Sequence, residues 1–250
     1  MKNSRKISVI VPAYNEEKKI VGVINSLFNS NSFDQIICVN DGSTDNTLQL
    51  LKKFKKISLI NLKKNHGKGY AIGKGIEKAH GEIIVFIDAD KSGFNNKLIQ
   101  QLIQPLLNKK YDGVIGYLTH IEADKLFRPL SGERAYWKKD LLPHLKEIKT
   151  KGYGLELFLN YLYRNKKIKL FPLKGIKHAL KYEKQSYETV AKLFLAESFD
   201  ILSEIIKQKN PFSYIVKSYI YSFYLKKPGK NNNQLNRLTN YIKKNLINKL

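Results

Sequence analysis

The chain has 250 residues, 42% of them hydrophobic and 11% aromatic, which allows a sizeable buried core and excludes global disorder. Lys and Arg number 45 against 21 Asp and Glu, a formal charge of +24. That excess favours polyanionic partners such as nucleic acid, anionic lipid or phosphorylated substrates, and it equally fits a compositional bias toward Lys, Ile and Asn. Cys38 is the single cysteine, so an intrachain disulfide and a cysteine metal cage are excluded, and its apolar run QIICVN predicts a buried, inert thiol.

The basic start MKNSRK leads into ISVIVPAYNEE, too short and too soon broken by Pro12 for a signal segment. No run approaches the ~18 apolar residues of a membrane-spanning helix. The expected location is cytoplasmic, with the inner membrane face as a peripheral surface. ISVIVPAY (7–14) reads as a strand, followed by a helix with Ile20, Ile24, Leu27 and Phe28 on one face. QIICVN (35–40) is a second strand, followed by a helix carrying Leu48, Leu51 and Phe54. ISLINL (57–62) is a third, and a glycine-punctuated helix near 68–79 leads to a fourth, EIIVFID (82–88). A helix near 95–107 precedes DGVIGYL (112–118). Strands alternating with helices predict an α/β fold with a mostly parallel sheet covered on both faces.

Beyond residue 118 the pattern loosens. LSGERAYWKKDLL (130–142) mixes turn residues with charge, GYGLELFLNYLYR (152–164) predicts a helix, and KIKLFPL (167–173) predicts an edge strand because it ends at Pro172. From 186 onward helical stripes recur: Val190 to Ile206, then the aromatic-rich Phe212 to Tyr224. A polar break at 226–233 separates them from a last amphipathic helix with Leu235, Leu238, Ile242 and Leu246 on one face and Arg237, Lys243 and Lys244 toward the other.

Ligands of open α/β sheets bind beyond the carboxyl ends of the parallel strands. Strand one ends in Pro12, Ala13, Tyr14, Asn15 and Glu16, strand two in Asn40 and Asp41, and strand four in Asp88, Ala89 and Asp90. Parallel strands would bring all of these to one rim. Neither G-x-G-x-x-G nor G-x-x-x-x-G-K-[ST] is present, so a nucleotide here needs another way to hold its phosphates. Two carboxylates around Mg²⁺ or Mn²⁺ would serve, since these cations bind through one or two carboxylates plus substrate phosphates. In an extended segment residues i and i+2 point the same way, so Asp88 and Asp90 would share a site. Gly67 and Gly69 in NHGKGYAIGKG (65–75) allow close approach to a helix N-terminus, a place for phosphate, with Lys68 adding positive charge. In DGSTDNT (41–47), Ser43, Thr44 and Asp45 read as turn and cap residues, leaving Asp41 for a ligand.

VIVPAYNEEKKI, VNDGSTDNT, NHGKGYAIGKG and FIDAD, in this order and spacing, resemble the family 2 nucleotide-diphosphosugar glycosyltransferases of GT-A fold. The likeness implies a GT-A domain over 1–183, with a nucleotide-sugar half at 1–118 and an acceptor half at 119–183, and a helical extension at 184–250. It implies that Pro12, Ala13, Tyr14 and Glu16 line the nucleoside pocket and that Asp41 contacts base or ribose. Lys68 would lie near the nucleotide, Asp88 beside the ribose and the cation, Ala89 within the nucleotide-sugar site, and Asp90 on a Mg²⁺ or Mn²⁺ ion at the diphosphate of a UDP- or GDP-sugar. LSGERA, GYGLEL and GIKH more weakly resemble glucosyl-3-phosphoglycerate synthases. That likeness implies Glu156 at the reacting centre, His178 as a further metal ligand, and Glu133 and Arg134 on the acceptor side.

The implied activity is metal-dependent sugar transfer to an acceptor, either a lipid-linked (polyprenyl) phosphate or a small phosphorylated molecule. The aromatic stripe and basic last helix suit an anionic membrane surface or packing on the catalytic domain. A nucleotidyltransferase on a similar sheet would instead release pyrophosphate from a nucleoside triphosphate. A nucleic-acid partner is not expected, because the charges are dispersed and no binding motif accompanies them.

Overall fold

The computed structural model describes residues 5–118, 131–152 and 154–178. The helical stripes beyond 186, the last helix and the proposed 184–250 extension lie outside the described residues. A seven-stranded sheet has the order β3-β2-β1-β4-β7-β6-β8. Its strands are β1 (Ile7–Ala13), β2 (Gln35–Asp41), β3 (Ser58–Leu62), β4 (Ile83–Phe86), β6 (Gly113–Leu118), β7 (Arg134–Trp137) and β8 (Ile168–Leu173). β7 alone runs against its neighbours β4 and β6. A two-residue ribbon pairs β5 (Lys91–Ser92) with β9 (Lys177–His178), antiparallel.

Helices cover both faces: α1 (Ile20–Ser30), α2 (Thr47–Lys52), α3 (Lys68–Lys78), α4 (Asn96–Leu107), α5 (Lys138–Leu141), α6 (Leu145–Lys149) and α7 (Leu155–Leu162). The central strands are buried on both faces. Val9, Ile10, Val11, Ile37, Val39, Ile83, Ile84 and Val85 are all at 0% exposure. Each such side chain contributes about 1.5–3 kcal/mol by leaving water, so this run of strands is the main stabilising element. One apolar layer packs α1 and α4 against the sheet, with Ile24, Leu27, Leu102 and Leu106 inside it. The other packs α3 and α7, with Ile72, Ile76, Leu155 and Leu159. Cys38 is buried in the first layer, and burial pushes its thiol well above the usual range.

The chain crosses from β3 back over β1 to β4, so β2 and β4 lie on opposite sides of β1. The strand order reverses there, and at such a switch point open α/β sheets take ligands beyond the carboxyl ends of the strands. The β1–β4 pairing stops at Ile10 and Phe86, while β1 continues along β2 to Ala13. Pro12, which has no N–H to donate, therefore stands where its strand has a neighbour on one side only.

Among the described residues the expected elements appear with ends shifted by up to three residues, and KIKLFPL is an edge strand that carries Pro172 opposite Tyr117. Three strands were not anticipated: β7, and the two short strands of the ribbon. β7 arises where the sequence showed only charge and turn residues.

Candidate active site

The loop after β1 is zipped to the loop after β2. The backbone N–H groups of Asn15, Glu16 and Glu17 donate to Ser43 Oγ (3.0 Å), Thr47 Oγ1 (2.8 Å) and Asp45 Oδ2 (3.1 Å). Of the three residues expected to cap α2, only Asp45 touches its first amide, Oδ1 accepting from Thr47 N–H, while Ser43 and Thr44 bond the first loop at Asn15. Asn15 adopts φ 56°, and the zipped loop leaves Tyr14 45% exposed at the rim.

Asp41 is buried and its two oxygens accept from the N–H groups of His66 (2.9 Å) and Gly67 (2.8 Å). Burial raises its carboxyl above the usual range despite those donors. Asp41 thus shapes the turn into α3. Gly69 N–H donates to Lys151 O at 2.9 Å, and a Cβ at Gly69 would lie 2.0 Å from that oxygen. The amides expected to cradle a phosphate at this helix start are therefore given to Asp41 and to the α6–α7 connection. The glycine is needed for close packing of two backbone segments.

β4 ends in a charged cluster. The chain leaves the ladder after Phe86 and turns at Ala89–Asp90, so an extended Asp88–Asp90 segment is not formed. Asp88 Oδ1 meets Lys68 Nζ at 2.7 Å and Asp88 Oδ2 meets Lys91 Nζ at 2.9 Å. Lys68 also meets Glu156 Oε1 at 2.7 Å. Burial opposes charge on Asp88, but the two ammonium groups outweigh it and hold the carboxyl far below the usual carboxylate range. Burial likewise opposes charge on Lys68, and Asp88 and Glu156 more than offset it, so its ammonium titrates above the usual lysine range. Lys91 is shifted the same way, with Asp88 and Glu133 offsetting its burial.

Lys91 also meets both oxygens of Glu133 at 2.8 Å, and Ser131 Oγ donates to Glu133 Oε2 at 2.8 Å. Arg134 donates to Ser131 O (2.6 Å), Tyr136 Oη (3.0 Å) and Asn160 Oδ1 (2.8 Å). Glu133 and Arg134 are 0% and 1% exposed, so neither side chain reaches an acceptor surface directly. They stand one layer behind the rim, where β7 carries Arg134 alongside β4.

Glu156 lies in the first turn of α7, where a carboxylate also favours the helix dipole. Through Lys68 it is tied to Asp88, so the two halves of the site meet on one ammonium. The ribbon sets the backbone of His178 opposite Lys91, one residue from Asp90. Among the described residues no three His, Cys, Asp or Glu side chains form a metal cage.

Gly132 lies against the cluster: a Cβ there would sit 2.3 Å from Asp88 Oδ2. Gly132→Ala is expected to displace the Asp88 carboxylate, with about 1–3 kcal/mol of strain from overpacking. Thermal melting combined with a turnover assay checks this. A variant with wild-type melting temperature and wild-type rate would show that Asp88 needs no such clearance.

Residues 8–171 match the model of the glycosyl transferase family 2, well over half of the chain. The chain belongs to glycosyl transferase family 2. It is 36% identical over 129 residues to a UDP-N-acetylglucosamine–dolichyl-phosphate N-acetylglucosaminyltransferase of Methanococcus voltae, covering 44% of this chain and 51% of that protein. It is 32% identical over 136 residues to a dolichyl-phosphate beta-glucosyltransferase of Trichomonas vaginalis, covering 48% and 41%. The chain thus spans about half the length of these curated relatives. Among solved structures, glucosyl-3-phosphoglycerate synthase of Mycobacterium tuberculosis, in complex with Mg²⁺ and uridine diphosphate, superposes with a TM-score of 0.64. The match covers 80% of this chain and 79% of that one at 23% identity, which shows the shared GT-A fold. The sheet is the mostly parallel one expected of that fold.

Lys91, Ser131 and Asn160 complete the cluster and were not singled out in the sequence. Asn160 carried a signal, since it follows Glu156 by one helical turn on the same face. Lys91 carried one too, as a lysine placed directly after two acids.

Proposed function

We propose that this chain is a metal-dependent glycosyltransferase that moves a sugar from a nucleotide-diphosphosugar, a UDP-sugar first, to the phosphate of a lipid-linked acceptor. The observation that carries this reading is the shared ammonium of Lys68. It joins the acid at the end of β4 to Glu156 of α7, beside the point where the strand order reverses. The relatives named for dolichyl-phosphate acceptors support the acceptor class.

Tyr14, exposed at the rim, offers a face for the nucleoside base, with Pro12 and Ala13 beneath it, while Glu16 and Asp41 hold the two loops that frame that pocket. Asp88 and Ala89 border the ribose. Asp90 and His178 would hold the cation, which when bound supplies positive charge against the departing diphosphate. A phosphate oxygen of the acceptor forms a bond to the anomeric carbon as the bond from that carbon to the diphosphate breaks, and a nucleoside diphosphate leaves. An ionised phosphate needs no proton removed, so Glu156 then serves to hold Lys68 in place. With a hydroxyl acceptor the same carboxylate would take the proton. A lipid-linked acceptor would bring the chain to an anionic membrane surface; among the described residues no helix is long and apolar enough to cross one.

The test is a donor panel of UDP-glucose, UDP-N-acetylglucosamine and GDP-mannose with Mn²⁺ or Mg²⁺, reading released nucleotide. A polyprenyl phosphate, 3-phosphoglycerate or no acceptor is then added. The expected result is UDP release that rises with polyprenyl phosphate, stops with EDTA and yields a glycosylated lipid. Preferential use of 3-phosphoglycerate would move the reading to a small phosphorylated acceptor. Pyrophosphate release from a nucleoside triphosphate, with no sugar transfer, would end it.

A further inference from the structure

The positive charge of the chain is unevenly placed. Residues 18–33 and 46–76 contain no Asp or Glu, and they supply α1, α2, most of α3 and β3, the strand at one edge of the sheet. Lys52, Lys53, Lys55, Lys56, Lys63 and Lys64 are exposed along that edge, and among the described residues none of the six has an ion-pair partner. The acids between the two segments are engaged: Asp34, Asp41 and Asp45 each accept backbone N–H groups. Elsewhere lysines meet acids, as where Lys74 and Lys149 share Glu77 and Lys166 meets Asp140.

β3 itself is uncharged, SLINL, and has a neighbour on one side only. It is about 17 Å long, with Lys55 and Lys56 before it and Lys63 and Lys64 after it. A second copy adding its own β3 antiparallel would set these two pairs against each other, and like charges facing across strands repel. Lysines at its ends thus guard the edge against strand addition. That role does not account for the lack of acids on α1 and α2, which leaves the whole edge attractive to a broad anionic surface. No Arg occurs in these segments, and Phe54 is stacked on Phe28, so the bidentate and stacking groups that favour a nucleic acid are not offered. Hydrated lysines on a convex edge suit the headgroups of acidic lipids. Lys64 also packs its backbone against Gly42, so the strip reaches the rim that holds Asp41.

We infer that the α2–β3 edge is the face by which the chain docks on an anionic bilayer. The inference rests on the lipid-linked acceptor reading for its purpose and adds to it the surface that meets the membrane. From β3 to β1 is two strand spacings, about 10 Å, so a bilayer along this edge lies close to the proposed donor site.

Sedimentation of the full chain with phosphatidylcholine vesicles, with and without phosphatidylglycerol, tests this. Wild type is expected to bind only the acidic vesicles, and less as salt is raised. Lys53→Gln/Lys55→Gln/Lys56→Gln is expected to weaken that binding about 100-fold, at about fivefold per lysine. Lys109→Gln/Lys110→Gln/Lys167→Gln removes the same charge beside β6 and β8, at the other side of the sheet, and is expected to stay within about threefold of wild type. All six positions are exposed, so both variants should melt like wild type. Equal losses in the two variants would make the binding a property of overall charge and overturn the inference. Tighter binding of wild type to an oligonucleotide than to acidic vesicles at the same salt would overturn it too. Transfer to polyprenyl phosphate dissolved in detergent, where no bilayer is present, is measured separately. Wild-type transfer there, with an α2–β3 variant that still sediments like wild type, overturns the docking face alone. No transfer there, with vesicle binding lost only in the α2–β3 variant, ends the acceptor reading and supports the docking face.

Discussion

Asp90→Asn is expected to lower metal-supported turnover of the nucleotide-sugar by about 10²–10³-fold, the range seen when one preorganised electrostatic group is removed from an active site. The asparagine keeps the size of the side chain but not its charge. Asp90 is half-buried at a turn outside the main ladder, so the sheet and both apolar layers are untouched. The melting temperature should therefore stay within a few degrees of wild type. Released nucleotide at saturating Mn²⁺, measured beside a thermal melt, checks both halves. A variant that keeps full turnover would remove Asp90 from the chemistry. A variant that loses turnover only because it melts would reassign it to the fold.

Lys68→Met should affect stability and activity together. The ammonium sits 2.7 Å from Asp88 Oδ1 and 2.7 Å from Glu156 Oε1. The three side chains keep 26%, 21% and 10% of their surface exposed, so water screens part of the loss. Breaking a buried pair by removing one partner costs about 3–5 kcal/mol, and the low end is appropriate here. At roughly 2–4 °C per kcal/mol for a chain of this size, the melting temperature should fall by about 6–12 °C. Asp88 retains Lys91, so most of the penalty falls on Glu156. Lys68→Met/Glu156→Gln should accordingly regain much of the melting temperature and none of the activity. A double-mutant cycle on thermal stability measures that coupling. Additive effects of the two substitutions would mean that the Lys68–Glu156 contact contributes little.

The doubly covered strands were legible because burial on both faces leaves an unbroken apolar run, as in the stretch from Ile83 to Ile87. α4 was legible because Leu98, Leu102 and Leu106 return to one face with helical spacing. The rim was legible in outline, since Tyr14, Asp41 and Asp88 each follow such a run. β7 was not, because Arg134 occupies a core position where apolar residues are expected. Its burial depends on Ser131, Tyr136 and Asn160, and no local pattern announces partners contributed by another element. The ribbon strands hold two residues each, too few for any periodicity.

The site diverged from its reading wherever a polar group had a structural partner far along the chain. Lys91 reaches Glu133, 42 residues away, and Lys68 reaches Glu156, 88 residues away. The glycines at the start of α3 invited a phosphate, but Gly69 is matched to Lys151 O and the preceding amides to Asp41. Short-range chemistry therefore indicated which residues gather at the rim. Which of them face a ligand and which hold one another was decided by the tertiary pairing.

The account turns on a nucleoside diphosphate lying across the carboxyl ends of β1 and β4. A crystal structure of the chain soaked with UDP and Mn²⁺ tests that most directly. The expected map shows the base on Tyr14, the diphosphate over the Asp88–Asp90 turn, and Mn²⁺ about 2.1 Å from an Asp90 oxygen. UDP bound at the opposite end of the sheet, or Mn²⁺ ligated away from Asp90, would contradict it.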